Sequence, residues 1–242
     1  MSRLSLLSAA LALVTTAAAA DPGYYVVTAY DNAGLRTADF RYWTFKPNGQ
    51  GEIIWPEVGF AYGVSSRWTT ELLLSWIGSS QMSTQLSTVN WQNEVLLTQG
   101  EWPVDVALHL QYIDDRIYRG RRAIEFGPVL QTDVGRTQLN ANVFFERGLG
   151  AEKDDPTTMK YQWQLRYRWT PPLHFGLQGF GELGPWNAWA PGNGQSHRAG
   201  PAVFTTARLD DRVAFKLQAA WLVGRTGTRS GHMFTLRATS EF

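Results

Sequence analysis

Between Lys160 and Trp169 the chain alternates without a fault. Tyr161, Trp163, Leu165, Tyr167 and Trp169 fall on one parity, and Lys160, Gln162, Gln164, Arg166 and Arg168 on the other. A period of two marks a strand whose two faces meet different surroundings. Two environments satisfy it. The large residues can line a sandwich core with the polar face in water, or they can face lipid with the polar face turned into a wet lumen. The remainder of the chain has to choose.

Its first residues fix the compartment. Arg3 is a positive start, residues 4–14 are a short apolar run, and Ala18-x-Ala20 is a small-residue cleavage site. This reads as a secretory signal peptide over 1–20, cut after Ala20; the apolar run is too short to span a bilayer. With no Cys there is neither a lipid-anchored thiol nor a disulfide framework. Past the signal no apolar run long enough for a membrane helix remains, and the mean hydropathy is −0.25, which excludes a helical membrane protein. The 22 basic residues against 21 acidic ones leave a net charge of +1, which removal of Arg3 takes to zero. Such a balance gives no polyanion-binding surface, so nucleic acid is not a partner. Aromatic residues reach 13%, with 11 Trp, as the interfacial girdles of a barrel require.

Residues 21–35 hold one short apolar run, 24–30, and read as an N-terminal periplasmic extension or an extra strand segment. From Arg36 to Phe242 alternating segments and turn signals follow one another, with about twelve strands and no helical period. Short connections (65–67, 99–103, 134–136, 170–172, 209–211) alternate with longer ones (78–87, 113–122, 148–159, 185–197, 225–231). Short-then-long order matches periplasmic turns and extracellular loops of a barrel, and a sandwich has no reason to keep it. Trp68, Trp102 and Trp169 then sit at the short-turn end, and Trp76, Trp91, Tyr161 and Trp221 at the other. Pro128, within a strand, predicts a bulge. The expected fold is all-β: a closed antiparallel transmembrane β-barrel of about twelve strands over 36–242, preceded by the cleaved signal peptide.

The last strand carries Phe234, Leu236, Ala238 and Phe242 on one face, and the printed sequence stops on that Phe. An amphipathic strand ending in Phe resembles the terminal signature of Gram-negative outer-membrane barrels, which implies a place in the outer membrane and recognition by its assembly machinery through Phe242. A narrower likeness rests on Glu125-Phe-Gly-Pro128, Phe145-Glu-Arg-Gly-Leu-Gly150, Gly181-Glu-Leu-Gly184 and His197-Arg-Ala-Gly-Pro201. These stretches resemble small barrels grouped as transporters, some associated with phenol-degradation clusters. That resemblance brings no catalytic residues.

On the barrel reading the polar parity faces the lumen. An acidic wall of Glu57, Glu71, Glu94, Asp105, Glu125, Asp133 and Glu146 then opposes a basic wall of Arg166, Arg168, Arg198, Arg208, Lys216 and Arg237. A transverse field across a narrow pathway would select solutes by charge; the opposing reading is that the charges bridge across and plug the lumen. A lipid-acting hydrolase needs a nucleophile and a His in register. Ser196 and His197 are neighbours and point to opposite faces, while His109, His174 and His232 are scattered, so neither a triad nor a metal site assembles. A third class is a structural or surface-binding barrel. In the loop at 185–194, Trp186 and Trp189 can stack on a solute or anchor the interface. Asp154 and Asp155 can hold a divalent ion together with lipopolysaccharide but lack the ligand count of a dedicated site. The best reading is a channel or transporter for passive passage of a small molecule, with no cofactor. Its partners are membrane lipid, lipopolysaccharide and a small solute.

Overall fold

The computed structural model of the protein describes residues 23–29, 33–49, 51–118, 120–150, 153–209 and 213–242. The expected signal peptide, 1–20, lies outside them. The strands are β1 (Arg36–Pro47), β2 (Ile53–Ser65), β3 (Trp68–Ser79), β4 (Met82–Leu96), β5 (Asp105–Asp115) and β6 (Arg121–Val134), followed by β7 (Thr137–Gly150), β8 (Thr158–Thr170), β9 (Leu173–Pro185), β10 (Ser196–Arg208), β11 (Ala214–Thr226) and β12 (Arg229–Glu241). Each pairs antiparallel with its sequence neighbours, and β1 pairs with β12 to close the sheet. Closure extends to the last residue: Arg36 and Phe242 exchange backbone hydrogen bonds of 3.0 and 2.9 Å. A sheet without an edge satisfies every ladder within itself, the condition for crossing hydrocarbon with strands. The even strand number puts the start of β1 and the end of β12 together at the short-turn side.

Side-chain parity sets the two faces. Val58, Phe60, Leu72, Trp91, Leu110, Phe126, Leu177, Leu217 and Val223 all point outward and are exposed. An apolar band encircling the molecule is far beyond what a water-facing surface carries, and it identifies the lipid-facing side. In β8, Lys160, Gln162 and Gln164 are buried inside, whereas Leu165, Tyr167 and Trp169 are exposed outside. The neighbouring strand explains two half-buried aromatics there. Trp163 lies over Gly179 and Tyr161 over Gly181, their register partners; a Cβ on either glycine would meet the ring at 2.2 Å. An aromatic covering a cross-strand glycine pins register. Gly179→Val should displace the Trp163 ring at a cost of about 1–3 kcal/mol, read as a lower urea midpoint for the refolded barrel.

Three local expectations are corrected. The long loops expected at 78–87 and 225–231 are mostly strand: β3 reaches Ser79 with β4 starting at Met82, and β11 reaches Thr226 with β12 starting at Arg229. Polar residues there continue the ladder beyond the apolar band, where alternation no longer signals a strand. Because β4 starts earlier than expected, Trp91 is not at the long-loop rim. It pairs with Leu72 and Tyr112, and its indole donates to Thr70 Oγ1 at 2.8 Å, toward the short-turn end. Pro128 makes no bulge. Phe126–Phe145 and Val129–Asn142 keep one register on either side of it, so the missing N–H leaves only a gap in the ladder.

The largest correction concerns residues 21–35. Instead of extending away from the barrel, residues 23–29 lie inside it as a strap, with Tyr24, Tyr25, Val26, Val27 and Ala29 all buried. Tyr24 and Val26 pack against Trp43, Phe45, Phe180, Phe204, Leu222 and Met233 on one wall. Tyr25, Val27 and Ala29 pack against Leu96, Ala107, Val129 and Phe144 on the other. An extended segment alternates its side chains, so a strap apolar on both parities must be covered on both sides.

The lumen and its N-terminal strap

Polar side chains from the wall fasten the strap. Tyr24 donates to Glu182 Oε1 at 2.8 Å and accepts from Arg198 Nη1. Tyr25 donates to Gln92 Oε1 at 2.7 Å, and the Arg41 guanidinium stacks 3.6 Å from its ring centroid. The strap backbone is also held: Val27 N–H donates to Gln162 Oε1 at 3.2 Å, Asn142 donates to Val27 O at 2.9 Å, and Gln162 donates to Gly23 O at 3.2 Å. These bonds satisfy a segment that has no sheet partner of its own.

Two charged networks flank it. Across the β12–β1–β3 region, Arg41 bridges Asp39 at 2.8 Å and Glu71 at 2.7 Å, and Arg237 reaches Asp39 at 2.8 Å. Across β4–β8, His109 lies 2.6 Å from Glu94 and 3.2 Å from Glu125, and its ring packs 4.4 Å from that of Phe144. Lys160 joins Glu125 to Glu146, the latter at 3.0 Å. Glu125 and Glu146 are direct cross-strand partners on the inner face, a repulsive placement that the ammonium between them relieves.

The remaining expected site residues spread along the lumen. Glu57 is buried and accepts from Ser75, and Asp105 accepts from Gly100 N–H at 2.6 Å at the short-turn end. Asp133 is exposed there and pairs with Arg168 at 2.8 Å. Lys216 pairs with Glu241, Arg198 is buried under Tyr24, and Arg208 is exposed at the end of β10. Arg166 donates to His174 Nδ1 at 2.7 Å. The acidic and basic residues named from the sequence do occupy different arcs, yet the field between the arcs is largely stitched shut. Arg41 and Lys160 reach into the acidic side, and Asp39, Glu182 and Glu241 lie among the bases. A row of unpaired carboxylates in a narrow lumen costs too much to leave uncompensated.

The other candidates separate. Ser196 turns inward and bonds Arg225 O at 3.2 Å, whereas His197 is on the outside, 2.9 Å from the Tyr161 hydroxyl. His232 stacks on Trp221 with ring centroids 5.0 Å apart. Trp186 meets Phe145 edge-on at 6.3 Å, as an interface anchor would, and Trp189 is exposed. No group of three metal-ligating side chains forms among the described residues. Sequence reasoning missed Tyr24, Tyr25, Asp39 and Arg41 as lumen residues, and it left Lys160, on the polar parity of β8, out of the basic wall. The available signal was the unbroken apolar run at 24–27, which marks a strand buried on both faces.

Below the strap, on the short-turn side, a cavity of about 210 Å³ is lined by Tyr25, Val27, Gln92, Arg166, Phe204 and Arg237, among others. The strap therefore narrows a lumen that holds a cavity beneath it.

No family model and no curated protein matches the sequence. Among solved structures the chain is similar to an outer-membrane channel from Pseudomonas putida F1, with a TM-score of 0.61 at 12% identity, covering 92% of this chain and 100% of that one. It is also similar to the KdgM porin, with a TM-score of 0.52 at 7% identity over 85% of this chain and 98% of that one. The same porin in complex with disordered oligogalacturonate gives 0.53 at 7% identity over the same shares. At these identities the likeness is one of fold: the chain is a closed antiparallel β-barrel, as these proteins are.

Proposed function

We infer that the protein is an outer-membrane channel for passive passage of a small molecule, with the strap of residues 23–29 as its constriction. The observation that carries this reading is the way the strap is held. It is fastened by side-chain hydrogen bonds from wall residues rather than by strand pairing, and it borders a cavity on the short-turn side. A permanent fill would be better served by a strand paired into the sheet. The outward apolar band and the channel and porin folds support the same location and role. So does the resemblance of the short Gly-rich motifs to transporter barrels. The lumen charges act as selectivity elements, the signal peptide delivers the chain for export, and the strand ending in Phe242 presents it to the assembly machinery. Lipid and lipopolysaccharide surround it, and no reaction is assigned to it.

Single-channel recording of the full-length barrel in planar bilayers tests this role, with small discrete currents expected. The apolar clusters on both faces of the strap favour a second reading, a plugged structural barrel. Silence from both the full-length and the strap-deleted protein would establish that one instead. Orientation has its own check: in intact cells an added protease should cut the loop at 186–195 and spare 65–67. The reverse pattern would turn the barrel over.

A further inference from the structure

Most lumen cations are neutralised by a carboxylate: Arg41 and Arg237 by Asp39, Arg168 by Asp133, Lys160 by Glu146, and Lys216 by Glu241. Arg166 on β8 is different. Its Nε donates to His174 Nδ1 at 2.7 Å, an acceptor that must be neutral, and its guanidinium carbon stands 5.0 Å from the Phe204 ring centroid. No carboxylate contacts it among the described residues, and the acid whose charge it feels, Asp133, is already bonded to Arg168. Arg166 nonetheless lines the cavity beneath the strap. Of the acids on that cavity, Glu71 is already bonded to Arg41, Glu94 to His109 and Glu241 to Lys216. An arginine stays charged at any physiological pH, so a half-enclosed guanidinium without a counter-ion is a standing anion site.

We propose that Arg166 docks the carboxylate of a small organic acid entering the cavity below the strap. This rests on the channel reading and names the class of its solute. With Nε held by His174, the two Nη groups remain for the paired oxygens of a carboxylate, the geometry a guanidinium fork matches best. Phe204 beside it, and Val26 with which Phe204 clusters, offer an apolar surface for the body of the acid. A bare inorganic ion would leave that surface unused.

The test uses the folded full-length barrel in detergent, with benzoate as the probe and benzyl alcohol as its neutral counterpart, followed by calorimetry and ligand-observed NMR. Benzoate should bind, and benzyl alcohol about tenfold or more weaker, the worth of a charge-assisted pair. Arg166→Gln should lose benzoate binding by a similar factor. Arg166→Lys, which keeps the charge and loses the fork, should fall between them. Heat-modifiable migration on gels reports whether each variant is folded, and the lysine variant alone suffices if the glutamine one is not. Equal binding of benzoate and benzyl alcohol, or no change in either variant, overturns the site. Displacement of benzoate by inorganic phosphate at equal concentration overturns the organic-acid class. Binding in detergent needs no passage, so a silent channel that still binds benzoate would sink the transport reading and leave the site standing.

Discussion

Deleting residues 21–29, with the signal and β1 retained, is expected to raise single-channel conductance severalfold. The reason is both steric and energetic. Burying four large strap side chains contributes roughly 6–12 kcal/mol, and ordering the seven backbone units costs about 7–14 kcal/mol. These nearly cancel, so the hydrogen bonds of Tyr24 to Glu182 and Tyr25 to Gln92 tip the balance. The double variant Tyr24→Phe, Tyr25→Phe keeps both rings and removes both donors, at about 0.5–1.5 kcal/mol per bond. It should therefore keep the unit current of the full-length protein while opening more often. A deletion variant with unchanged conductance would refute the strap as the constriction. A double variant with the full-length opening frequency would remove the tyrosine hydroxyls from the latch.

Lys160→Met should cost about 3–5 kcal/mol of barrel stability, the usual result of stripping the counter-charge from a buried pair. Here two carboxylates are stranded, Glu125 and Glu146, facing each other across β6 and β7. Replacing Glu146 by Gln in the same chain should recover a large part of the loss, because one carboxylate remains and His109 still bonds it at 3.2 Å. Urea titration of the refolded barrel in lipid vesicles, followed by Trp fluorescence, measures both variants. If Lys160→Met alone unfolds at the wild-type midpoint, the pair is screened by lumen water and does not support the wall.

The barrel was legible because lipid and lumen impose opposite demands on adjacent residues, so β8 writes its fold in plain alternation. β1 was harder to read. Its inner parity mixes Asp39 and Arg41 with Trp43 and Phe45, all buried, because this strand faces water at one level and the strap at another. A parity rule that sorts polar from apolar has no category for such a face, and it overlooked the ion pairs anchored there. The strap failed for the converse reason. Tyr24, Tyr25, Val26 and Val27 show no alternation because both parities meet apolar wall, and nothing within residues 21–35 says that a barrel surrounds them. Listing the lumen charges was within reach of the sequence; their pairing was not. Lys160 meets Glu125 and Glu146 only through the register of three adjacent strands, which is a property of closure rather than of any one segment.

The strap is joined to the first strand by only a few residues, so it behaves as a ligand that cannot diffuse away. Short tethers of this kind hold an effective concentration on the order of millimolar. Any solute whose path overlaps the strap competes with that concentration whatever its own abundance outside the cell. A weak solute present at micromolar levels would find the lumen occupied nearly all the time. Passage would then depend on how quickly the strap lifts and returns, and dose–response curves for uptake would report the leash as much as the solute.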